Sequence, residues 1–193
     1  MIKSVEDLKE YLDYEYKKYF KHENKFKVWI CTKLELGEKY IIWKFQKNLR
    51  RLEYSINNKQ LASSFFRKLI LSRLSNKYGL HILPNTFDIG LKIMHLGSIL
   101  VNENVKVGKN CSIHINTALV AGGTSSEAPL LGDNIVIGIG AILIGGIKIG
   151  NNCAIGAGAV VNKSFDDNNT IAGVPAKIIS NKGSDSWKNR ENK

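Results

Sequence analysis

Four histidines, His22, His81, His95 and His114, are the side chains most able to move a proton near neutral pH. His95 opens the stretch HLGSILVN, residues 95–102. An imidazole there could take the proton from a hydroxyl as that oxygen attacks a carbonyl. Asp88 lies seven residues upstream and could fix the ring's tautomer or bind an acceptor. His114 follows an aliphatic residue, Ile113, and could face the same cleft or be an exposed structural histidine. His22 and His81 have no supporting context. Taken alone, His95 reads more readily as a structural histidine at a junction.

The element that must position these side chains is a repeat. From Leu131 to Val161 an aliphatic residue returns every six positions, at 131, 137, 143, 149, 155 and 161. Glycine follows it at 132, 138, 150 and 156. Counting back in sixes gives Ser125, Leu119, Ile113, Val107 and Val101, and only Ser125 is not aliphatic. A sustained fixed period signals a solenoid. Six matches neither a helix nor one long strand. It fits a prism whose sides are single hexapeptides, with one residue per side pointing into the axis. The same count places His95 inside the axis. Two extra residues between 93 and 101 would instead bury Ile93 and turn His95 outward. Residues 121–130, AGGTSSEAPL, carry loop chemistry; because the six-residue count survives them, the loop is expected to leave the prism and return to the same side.

This pattern resembles the hexapeptide-repeat acyltransferases. The resemblance covers roughly residues 87–179 and implies a left-handed parallel β-helix, three hexapeptides per coil. Comparable irregularities in the family favour the outward His95. HLGSILVN, the KYGLHIL entry and AGVPAK resemble serine acetyltransferases and, more closely, their shorter relatives from polysaccharide gene clusters. That resemblance implies His95 as general base and Asn102 as an acceptor contact or a turn residue. Serine acetyltransferases carry an Arg-His-Pro run in the protruding loop, where this chain has Glu127-Ala128-Pro129. Ala128 cannot replace an imidazole, and the expectation drawn is a larger acceptor, a sugar hydroxyl of a capsular or surface polysaccharide. Serine is the alternative acceptor, and a catalytically silent β-helix binding module is the alternative outside enzymology.

Acyl transfer from a thioester needs donors for its oxyanion, and the backbone N–H groups of Gly122 and Gly123 suit that role. Galactoside- and maltose-type acetyltransferases line their coenzyme groove with the second residue after the inward aliphatic, here Ile139 and Ala157. Their Thr-Lys pair corresponds to Asn162–Lys163, and their basic residue after Gly-Val-Pro corresponds to Lys177. Both lysines could meet coenzyme phosphates as point charges. Acetyl-CoA is therefore the expected cosubstrate, with no metal, and a homotrimer with sites between neighbouring solenoids is the expected assembly.

The chain of 193 residues has a formal charge of +11, of which +9 lies in residues 1–80 together with 14 of the 17 aromatics. This asymmetry divides the chain into an α-helical part, 1–80, a β-helix, 81–180, and a charged tail, 181–193, expected to be mobile. Helices are expected over 4–20, capped by Ser4 with Asp7, over 38–56, and over 65–74, capped by Ser63 or Ser64; 25–31 is ambiguous. The helical part should cover the solenoid's open first coil. The basic charge suits coenzyme phosphates or another acidic partner. Nucleic acid is not expected, because no reader motif is present. RKLILSRLSNKYG leaves membrane-surface association as a minor option. Cys31, Cys111 and Cys153 have no metal or disulfide spacing, and Cys111 and Cys153 read as packing residues. With no signal-peptide core and no apolar run near the ~20 residues that span a bilayer, a cytoplasmic protein is expected.

Overall fold

A computed structural model describes residues 1–123, 125–185 and 187. Four helices come first: α1 (Val5–Phe20), α2 (Lys25–Leu34), α3 (Glu38–Asn57) and α4 (Leu61–Tyr78). Ser4 and Asp7 form the expected capping box on α1. The ambiguous segment is helical, capped by Asn24 and ended by Glu35 in the left-handed conformation. Helix α4 begins four residues before the expected start and has no side-chain cap. Ser63 instead bonds Ser55 and Arg67. Tyr40 and Trp43 on α3 are core, as aromatic stripes usually are, but Phe65 and Phe66 on α4 face outward. None of the described helices is long and apolar enough to cross a membrane.

The rest is a left-handed parallel β-helix with three sides. Right-handed crossovers are favoured when a helix links the strands. Here corners of a few residues do so, and that preference loses its basis. Side one stacks Leu80–His81, Ile99–Val101, Thr117–Val120, Ile142–Ile144 and Val160–Val161. Side two stacks Lys106–Val107, Leu130–Leu131 and Lys148–Ile149. Side three stacks Lys92–Ile93, Ser112–Ile113, Val136–Ile137, Ala154–Ile155 and Thr170–Ala172, with Lys177–Ser180 added antiparallel at its edge. The inward residues align in register. Ile93, Ile113, Ile137, Ile155 and Ile171 form one row. Val101, Leu119, Leu143 and Val161 form another. All nine are at most 1% exposed, so each row is a continuous apolar spine. Cys111 and Cys153 fill small places in the same core, and burial pushes the Cys111 thiol up to about 12.

Two departures from the period matter for the site. The corner after Ile93 is two residues longer than the repeat requires, so Ile93 is buried and His95 is outside. The loop 121–129 leaves side one and re-enters at side two, not at the side it left, because it adds six residues to one corner. Ser125 thus sits on the loop, exposed, and its break in the aliphatic row costs nothing.

The helical part closes the first coil. An uncovered coil edge would leave backbone groups unpaired. Gln46 donates to the Leu91 carbonyl, and Arg50 donates to the carbonyls of Phe87 and Asp88. Glu15 accepts from the N–H groups of Gly90 and Leu91, and the Tyr19 hydroxyl accepts from that of Ile93. Arg50 is completely buried between the carboxylates of Glu15 and Glu53, 2.7 and 2.9 Å away. At the other end Gly183 and Ser184 lie against the last coils, with the Ser184 N–H bonded to the Asn152 carbonyl. Residues 186 and 188–193 of the expected mobile tail lie outside the described residues.

Candidate active site

The corner joining side three to side one carries most of the candidate chemistry. It comprises residues 94–98, 114–116, 138–141 and 156–159 in successive coils, with the side-three hairpin turn 173–176 bonded to Val160 beneath the last of them. His95 tops this column, and its side chain is 58% exposed. His114 lies one coil along, with ring centroids 6.2 Å apart. The long corner is held on both flanks. The Gly79 carbonyl accepts from the Ile99 N–H, and a methyl group on Gly79 would sit 3.3 Å from the backbone of Gly97 and Ser98. Gly97, at φ +155°, passes over Ile115 so closely that an added Cβ would lie 3.0 Å from its side chain.

Ile139 and Ala157 stack below, both exposed, one coil of eighteen residues apart. Beside them Gly140 and Gly158 hold left-handed turns at φ +72° and +66°. The corner between sides two and three has turns of the same kind at Asn134, Asn152 and Asn168, whose side chains pair along the stack. The glycine column leaves its backbone bare: a Cβ on Gly158 would meet nothing within 4 Å. Small residues there let an extended amide chain approach the backbone. Four coils and the Gly173 turn beneath them, at about 4.8 Å per layer, give a slot of about 19 Å from His95 to that turn. Lys177 follows that turn, exposed, opposite Ala172.

Other candidates fall elsewhere. Asn102, Gly122, Gly123, Asn162 and Lys163 all sit on the corner between sides one and two, so one protomer does not bring them to His95. The Asn102 side chain accepts from the Asn104 N–H, the geometry of a turn residue. The Gly122 N–H points to the Glu127 carbonyl within the loop, and Gly123 is exposed. Lys163 is exposed and lies over the Phe165 ring. Asp88 is engaged by the Tyr11 hydroxyl and the Ile89 N–H. Burial would raise its carboxyl, but those bonds hold it below the usual range.

The carboxylate that meets His95 is Glu38, which sequence spacing did not suggest. It opens α3, 57 positions away, and places Oε2 3.3 Å from His95 Nδ1 and Oε1 2.6 Å from the Leu96 nitrogen. Its only sequence signal is an acidic residue in a helical first turn, which helix electrostatics already explains.

Residues 128–163 match the bacterial transferase hexapeptide family, six repeats. The chain is 33% identical over 128 residues to the serine acetyltransferase of Buchnera aphidicola from Acyrthosiphon pisum, covering 63% of this chain and 46% of that protein. It also resembles the crystal structure of serine acetyltransferase from Brucella abortus strain S19, at 25% identity and a TM-score of 0.72, covering 93% of this chain and 72% of that one. The Brucella abortus enzyme in complex with coenzyme A gives 26% identity and a TM-score of 0.71, over 91% and 69% of the two chains. The chain spans about half the length of the curated relatives it matches.

These findings overturn the expected sugar acceptor, because the matched proteins are serine acetyltransferases and none indicates a polysaccharide enzyme. The expectation rested in part on Ala128, beside the closer likeness of HLGSILVN, the KYGLHIL entry and AGVPAK to the shorter relatives. That residue is 7% exposed and packs in the solenoid core, so its lack of a polar group says nothing about what the cleft accepts.

Proposed function

We propose that this chain is an acetyl-CoA-dependent serine O-acetyltransferase with His95 as general base. The observation that carries the proposal is the coincidence of an outward imidazole at the head of a bare glycine slot with a fold and sequence similar to serine acetyltransferases. The serine hydroxyl loses its proton to His95 as its oxygen attacks the thioester carbonyl. The C–S bond then breaks, and the thiolate leaves with a proton. No acyl-enzyme is needed. The pantetheine arm lies along Ile139, Gly140, Ala157 and Gly158, and Lys177 meets the phosphates at the far end. Thiol release from acetyl-CoA with serine as acceptor tests this reading; release that is independent of serine rejects it.

The assembly is part of the same proposal. Gly122, Gly123 and Lys163 stand one corner away from His95 on the same chain. In a homotrimer the side-one/side-two corner of one copy would face the His95 corner of its neighbour and complete the site. Sedimentation equilibrium should give the mass of three chains, and a monomer mass at assay concentration removes this element. Free thiols at Cys31, Cys111 and Cys153 fit a cytoplasmic setting for such an enzyme.

A further inference from the structure

We propose that Glu38 is the positioning residue for His95: it fixes the imidazole as the Nδ1–H tautomer, leaving Nε2 as the nitrogen that takes the acceptor's proton. The inference rests on the reading of His95 as base, and it adds a residue from the helical part to a site otherwise built on the solenoid.

An ionised carboxylate only accepts hydrogen bonds. Glu38 Oε1 accepts from the Leu96 N–H at 2.6 Å, which pins the carboxylate beside the long corner. Its Oε2 then stands 3.3 Å from His95 Nδ1. The ring can satisfy that oxygen only by carrying its proton on Nδ1. The lone pair is thereby confined to Nε2, away from Glu38. Position 38 is the first residue of α3, where the positive end of the helix dipole stabilises a negative charge. Asp88 is not a competitor for this role, since Tyr11 and Ile89 already engage its carboxylate. Orientation of the base is thus coupled to docking of α3 on the first coil, through the same surface that carries Gln46 and Arg50.

Glu38→Gln separates positioning from support. The amide oxygen can still accept from Leu96, so the clasp survives. The amide NH₂ now faces Nδ1 and makes it an acceptor, which moves the ring proton to Nε2 and blocks the base. Elsewhere, carboxylate-to-amide substitution beside a catalytic histidine has cost about 10⁴ in kcat through the wrong tautomer. For this half-exposed pair we expect a fall in kcat of at least about tenfold, a KM for acetyl-CoA unchanged within about twofold, and a melting temperature within about 2 °C. Long-range ¹H–¹⁵N spectra of the full chain, with the His95 signals assigned by their loss in His95→Asn, read the tautomer without any turnover. The wild type should show Nδ1–H and Glu38→Gln should show Nε2–H. A wild-type Nε2–H ring, or Glu38→Gln with wild-type kcat, overturns the inference. If the wild type transfers no acetyl group, the functional reading fails while the spectra still decide the role of Glu38.

Discussion

Ile93 and Val101 both point into the prism from adjacent sides, yet they stand eight positions apart where the repeat requires six. The two additional residues bulge outward and carry His95 with them. A site on this chain therefore depends on an irregularity in an otherwise fixed period, and on whatever holds that irregularity in shape.

Gly97 is the first test of that dependence. An alanine there would be strained at φ +155° and would press on Ile115. Such backbone strain costs on the order of 1–3 kcal/mol, or roughly 2–12 °C in melting temperature for a chain of this size. Gly97→Ala should show that loss by differential scanning calorimetry, with a fall in kcat as His95 shifts. Adding Ile115→Ala should recover part of the stability by removing the contact while leaving the strain. An unchanged melting temperature would mean the corner is looser than its contacts indicate.

The glycine slot is tested at Ala157, which is exposed and whose enlargement leaves the core intact. Ala157→Trp should raise the KM for acetyl-CoA by about tenfold or more, equivalent to about 1.4 kcal/mol of lost binding. The KM for serine should stay near its wild-type value. Initial rates with each substrate varied in turn distinguish the two. An equal rise in both would place the acceptor, not the coenzyme, along this corner.

Acid sensitivity should have an identifiable source in the helical part. Hydrogen bonds from Lys77, Tyr78 and Lys44 hold the Glu35 carboxyl down at about 2, tying the end of α2 to α3 and α4. A depressed carboxyl stabilises the fold above its unfolded value near 4.5 and loses that contribution as pH falls toward 2. Melting temperatures measured from pH 6 to pH 3 should fall less steeply for Glu35→Gln than for the wild type, starting from a lower value at pH 6. Parallel curves would show that the tie contributes nothing to stability.

What could be read from sequence followed the strength of local rules. The spines from Val101 to Val161 were legible because burial permits only aliphatic residues at each inward step, and the Ser4–Asp7 box was legible because both partners lie within one turn. Choosing between an inward and an outward His95 needed a register shift that neither count could settle by itself. The Glu15–Arg50–Glu53 cluster was not legible. Its partners lie on two helices and face a coil edge, and in sequence a charged residue on a helix reads as solvated. Glu38 was missed for the same reason. Ala128 misled because its position in the loop suggested a site residue, whereas the chain turns it into the core.

The most direct test compares thiol release from acetyl-CoA by the wild type and His95→Ala, with serine as acceptor, beside coenzyme A binding to each. The wild type should show release that depends on serine. His95→Ala should lose about 10²–10⁴ of the rate and retain coenzyme affinity, since the imidazole stands at the head of the slot and not along it. Serine-dependent release by His95→Ala at the wild-type rate would contradict the account.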